Sequence, residues 1–76
     1  MKRQPLAKRV GAIIRQLRLE AGLSQEDFAD RCGLHRTYIG CVERGEKVIT
    51  IETANKIANA LGLSLAQLFQ PLDDGK

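Results

Sequence analysis

Leu6, Val10, Ile13, Ile14 and Leu17 fall at positions i, i+4, i+7, i+8 and i+11, the spacing of a helix with one apolar face. Lys8, Arg15 and Arg18 lie on the other side of that projection. Gly22 supplies the left-handed residue that commonly ends a helix, so this first one is expected to stop at Ala21. Ser24 with Asp27 resembles a capping box and starts a second helix of about eight residues, with Phe28, Ala29 and Cys32 inward. Gly33 breaks it. A third helix is expected from about Arg36 to Arg44, with Ile39 and Val42 on its buried side, Gly45 closing it and His35 at its cap. Thr50 caps a fourth, in which Ile51, Ala54, Ile57, Ala58 and Leu61 keep the period until Gly62. Ser64 and Gln67 repeat the capping signature before Leu65, Leu68 and Phe69, and Pro71 is expected to end the fold.

No stretch alternates with period two, so the pattern predicts an all-α bundle of five short helices. At 76 residues it is one domain, with a core over about 6–70 and flexible ends at 1–5 and 71–76. With 43% hydrophobic and 28% charged residues, the composition argues against wholesale disorder. No apolar run approaches the roughly 18 residues that span a bilayer, and no signal-peptide block follows the basic start, so a cytoplasmic protein without a membrane partner is expected.

Charge changes the picture more by its placement than by its net value of +3. Lys2, Arg3, Lys8, Arg9, Arg15 and Arg18 all precede the first acid, Glu20, a distribution that suits a polyanionic partner as well as a solvated helix face. Cys32, Cys41 and the single histidine, His35, have no zinc spacing and no disulfide framework. No metal, cofactor or small-molecule ligand is expected. Catalysis needs convergent acids, bases or nucleophiles, and a cap histidine with two unsupported thiols offers none. An enzyme is not expected. RNA binding is disfavoured because, with Phe28 and Phe69 claimed by the interior, stacking platforms are missing.

The second and third helices, joined by a tight glycine turn, have the signature of a helix-turn-helix. Small Ala29 lets them cross closely, and Ile39 and Val42 lock the third against the second. At about 100° per residue, Arg36, Thr37, Gly40 and Arg44 gather on the opposite side, offered to something outside the protein. Gly40 there lowers helix stability by about 1 kcal/mol relative to alanine, which the close approach of another surface would explain.

The segments "IRQLRLEAGLSQEDFADRCGLHRTYIGCVERGEK" and "TIETANKIANALGLSLAQLF" resemble the single-domain helix-turn-helix regulators of the Cro and phage-repressor type. "RTYI" followed by "VERGE" is similar to the small controller proteins of restriction–modification systems. The resemblance implies a lambda-repressor-like DNA-binding domain and assigns roles by position. Arg36 and Thr37 would read base edges in the major groove, where arginine pairs bidentately with guanine and threonine meets an edge or a thymine methyl. Cys41 stands where relatives often carry a base-reading polar residue, although a thiol is a poor donor. Gln25, at a helix N-terminus, would bond a phosphate. Tyr38 would place its hydroxyl on a phosphate or pack half-buried. Arg44, Lys47 and the amides near Thr50 would grip the backbone; relatives often have asparagine where Val48 stands. Glu43 would pair with Arg18 and tie the recognition helix to the first helix.

The function implied is a transcriptional regulator binding double-stranded DNA as a homodimer on a palindromic operator, autoregulatory through its own concentration, and controlling restriction–modification genes where the controller resemblance holds. Leu65, Leu68 and Phe69, with Leu72, would form the dimer interface; sealing the core is the other use for them. The alternative function is a protein-interaction module, such as an antitoxin or anti-repressor partner, that uses the same fold to bind protein.

Overall fold

The computed structural model describes residues 4–74. Among these, five helices follow one another: α1 Leu6–Glu20, α2 Gln25–Cys32, α3 Arg36–Glu43, α4 Ile51–Ala60 and α5 Leu65–Asp74. The local signals explain most of the boundaries. Ser24 Oγ accepts from the Asp27 amide at 3.0 Å and Thr50 Oγ1 from the Thr53 amide at 3.1 Å. Ser64 and Gln67 form a full capping box, each side chain accepting from the other's amide at 3.1 and 2.9 Å. His35 caps α3 through Nδ1, which accepts from the Thr37 amide at 3.1 Å.

Gly33 carries the turn between α2 and α3 at φ 70, a conformation that strains any residue with a Cβ. The Leu34 amide then reaches back to the Ala29 carbonyl at 2.9 Å, closing the helix end. α1 stops in the same way, with Leu23 donating to the Arg18 carbonyl at 3.2 Å.

Ile14, Phe28, Ala29, Ile39, Val42, Ile57, Ala58 and Leu68 form the core, with Cys32 at its edge. α1 packs on α3 and α5, α2 on α3 and α4, and α4 on α5. α1 crosses the end of α3 at Gly11, a buried glycine inside the helix. A Cβ there would collide with the Val42 carbonyl oxygen and stand 2.6 Å from that of Glu43.

Four expectations are corrected. α5 does not end at Pro71 but continues to Asp74. Proline inside a helix removes one bond and normally breaks it; here the turn beyond it is tied to α1, where Arg9 Nη2 donates to the Leu72 carbonyl at 3.2 Å. Ile51 keeps the helical period yet is 78% exposed, as the first residue of α4, at the rim of a groove shared with Leu65 and Phe69 of α5. Arg18 lies inside rather than on the outer side of α1, for a reason given below. Leu68 is fully buried and therefore belongs to the core, not to an intermolecular surface. Lys2 and Arg3 of the basic block, like part of both ends expected to be flexible, lie outside the described residues.

Burial pushes the Cys32 thiol up to about 11 from 9.0. Between those values the unfolded chain ionises Cys32 while the folded one does not, so stability falls as pH rises through the window. Urea midpoints measured from pH 8 upward should show this fall in the wild type and lose part of it in Cys32→Ala, which has no thiol to ionise.

Candidate nucleic-acid interface

Arg18 enters the interior because a carboxylate meets it there. Its Nε donates to Glu43 Oε2 at 2.6 Å and its Nη2 to Oε1 at 3.0 Å, while Nη1 bonds the Leu23 carbonyl at 2.8 Å. The two side chains are only 8% and 2% exposed. The hydrogen bond to Glu43 raises the Arg18 pKa further, against the opposing effect of burial. The bidentate fork fixes α1 to the end of α3 and orients the helix pair.

The same carboxylate reaches α2. Gln25 Nε2 donates to Glu43 Oε1 at 3.1 Å. One amide hydrogen is thereby directed inward, and the second remains for an acceptor outside the protein. Gly40 completes this arrangement. It is buried rather than open to an external surface, because Gln25 and Arg44 cover it: a Cβ at Gly40 would lie 3.1 Å from Arg44 Nη1 and 3.7 Å from Gln25 Oε1.

α3 is held from behind by Ile39 and Val42, 0% and 1% exposed, and presents its first turn outward. Arg36 and Thr37 are exposed there. Arg36 Nη1 stands 3.8 Å from Glu26 Oε1. Cys41 is half-buried, with Arg44 Nη2 at 3.6 Å from its sulfur. Tyr38 is half-buried and packs against the core. Arg44 binds Glu46 through Nε and Nη2 at 3.0 and 3.2 Å. Lys47 is exposed, and Thr50 is exposed with its hydroxyl committed to capping α4.

Gln25, Arg36, Thr37, Cys41 and Arg44 thus share the surface formed by the start of α2 and the outward side of α3. Lys47 and Thr50 belong to the following loop. The sequence reading missed Glu26 and Glu46 as partners of the two arginines. Glu46 follows Arg44 by two residues, a spacing that is no neighbour on a helix, and Glu26 meets Arg36 only through the tertiary crossing.

A second surface is apolar. Leu6, Val10, Val48, Ile49, Phe69 and Leu72 are among the residues lining a groove of about 380 Å³. A shallower one continues past Ile51 and Leu65. Val48 is 89% exposed. Among the described residues no helix is long and apolar enough to cross a membrane.

A family model described as helix-turn-helix matches residues 14–68. The control protein C.BamHI of Bacillus amyloliquefaciens is 44% identical over 60 residues, covering 78% of this chain and 74% of that protein. The restriction–modification controller protein C.AhdI of Aeromonas hydrophila superposes with a TM-score of 0.80 at 40% identity, covering 83% of this chain and 96% of that one. The controller protein C.Esp1396I, solved as a tetramer in complex with its natural 35 base-pair operator, superposes with a TM-score of 0.85 at 35% identity over 95% of each chain.

Proposed function

The chain belongs to the helix-turn-helix transcriptional regulators, in the restriction–modification controller group, and from that premise we propose how its own residues read DNA. α3 enters the major groove with its N-terminal end, Arg36 and Thr37 contact base edges, and Cys41 stands one turn further along. Gln25, Tyr38, Arg44, Lys47 and the amides near Thr50 contact the sugar-phosphate backbone. The observation that carries this reading is the Arg18–Glu43–Gln25 chain of bonds, which anchors α3 from inside and leaves its first turn projecting. A helix held so rigidly on one side presents its other side at a defined height to a groove.

Two copies are needed, because one recognition helix spans too few base pairs for useful specificity. In this reading the dimer forms through Leu65 and Phe69 together with the exposed Val48 and Ile51 of the neighbouring loop and helix start, which would be covered in the pair. Dimerisation and operator occupancy rise together with concentration, which suits control of the regulator's own gene and of linked restriction–modification genes. The protein acts in the cytoplasm as a binding protein, not as an enzyme.

Binding titrations test the roles. Arg36→Ala should weaken the specific site by about 1 to 3 kcal/mol and relax one base position. Gln25→Ala should weaken all duplexes more evenly. Wild-type affinity should fall with salt at a log–log slope of about −0.9 per phosphate neutralised. Equal losses on all sequences for both variants would remove Arg36 from the reading role, and a flat salt response would contradict DNA binding.

A further inference from the structure

Both arginines on the outward side of α3 are already engaged in the free protein. Glu46 takes Arg44 through both of its oxygens, at 3.0 and 3.2 Å. Glu26 stands 3.8 Å from Arg36. The arrangement is selective: Arg15 and Arg31, on other faces, form no ion pair among the described residues. All four side chains of these pairs are more than half exposed, so neither glutamate is placed by burial in the core. The hydrogen bonds from Arg44 hold the Glu46 carboxyl below its ordinary range, and Glu46 in turn raises Arg44, so the contact favours the charged form on both sides.

We propose that Glu46 and Glu26 set the affinity threshold of this face, by making DNA compete with a carboxylate for each arginine; the inference rests on the DNA-reading role assigned above. Phosphates are present on every duplex, and an unpartnered arginine gains from any of them. An arginine held by a glutamate gains only the difference between its new partner and the old one. For Arg44 the new partner is a phosphate, the same on all sequences, so Glu46 lowers affinity uniformly. For Arg36 the exchange is favourable where guanine offers O6 and N7 together. Elsewhere the guanidinium stays with Glu26 and forgoes only the weaker phosphate contact, so Glu26 costs a guanine-bearing site the full ion pair and other sequences no more than that. Both glutamates therefore set a threshold for binding, and neither widens the gap between sequences.

The test uses the full chain with two duplex probes of equal length, one enriched by the wild-type protein from a random pool and one of random sequence. Glu20→Gln, which removes the same charge from an exposed position at the end of α1, corrects for the change in overall field. Relative to it, Glu46→Gln should tighten binding to both probes by up to about fivefold, the range expected for an exposed pair. Glu26→Gln should tighten the enriched duplex by up to about fivefold and the random one by no more than that, so that the ratio between them does not fall. Each gain should vanish when the partner arginine is replaced by alanine. Glutamine variants that match Glu20→Gln, or that bind more weakly than it, would overturn the proposal while leaving the DNA-reading role in place. Wild-type protein that binds neither probe would overturn that role itself.

Discussion

Glu43→Leu should lower stability by about 3 to 5 kcal/mol, because it leaves the Arg18 guanidinium buried with no countercharge. For a domain whose total stability is of order 5 to 15 kcal/mol, that is a large part of the whole. The double variant Arg18→Met with Glu43→Leu should recover most of the loss, since an apolar pair of similar volume avoids the desolvation of two charges. Urea denaturation of the four proteins of the cycle measures this. The recovered fold should still bind DNA more weakly on all sequences: without Glu43 the Gln25 amide loses the acceptor 3.1 Å away that directs it. Stability restored together with full affinity would show that the ion pair serves packing alone. A double variant as unstable as Glu43→Leu would show that the site cannot be filled by apolar side chains.

Gly11→Ala carries the second large effect, with a sign opposite to helix propensity. Alanine in the middle of an exposed helix is better than glycine by about 1 kcal/mol. At Gly11 the added methyl meets two backbone carbonyls of α3, those of Val42 and Glu43, which cannot rotate out of the way as a side chain could. α1 would have to lift from α3, and the crossing that brings Arg18 to Glu43 would open with it. A net loss of about 2 to 3 kcal/mol is expected for such overpacking. In a domain this small each kcal/mol moves the thermal midpoint by about 4 to 8 °C, so a melting curve resolves it. An unchanged or raised midpoint would contradict the close crossing.

The two variants also show where sequence reasoning reached and where it stopped. Helix stops were legible because they are local: a glycine after the last apolar position closes α1 and α2, and serine or threonine opens α2, α4 and α5. The helix-turn-helix was legible for the same reason, and the pairing of Arg18 with Glu43 came from the family resemblance rather than from any spacing. Tertiary facts were not legible. Periodicity placed Ile51 inside and Arg18 outside, but the ends of a helical stripe are decided by which neighbours lie opposite. Proline signalled an end at position 71, yet the helix runs on to Asp74, with Arg9 of α1 donating to the Leu72 carbonyl beyond the proline. Gly40 falls on the outward side by helical projection, yet the ends of the Gln25 and Arg44 side chains cover it. Gly11 offered a signal that went unused: a glycine between Val10 and Ile14 sits on the apolar side of a long helix, where only a close backbone approach explains it.

Glu26 and Glu46 illustrate the same division within the site. Composition and resemblance selected the arginines of α3 as DNA contacts, yet nothing in the spacing showed that each already has an anionic partner in the free protein. This surface of α3 is thus less positive than its arginine content suggests.

The central claim is that α3 reads a defined sequence in the major groove as one half of a symmetric pair. Selection of binding sites from random duplex DNA, followed by sequencing of the enriched pool, tests it most directly. The expected result is an inverted repeat whose half-sites lie about one helical turn apart, with a guanine in each half-site whose enrichment is lost with Arg36→Ala. No enrichment from a protein shown to be folded and helical would contradict the account and turn attention to a protein partner for the same helix face.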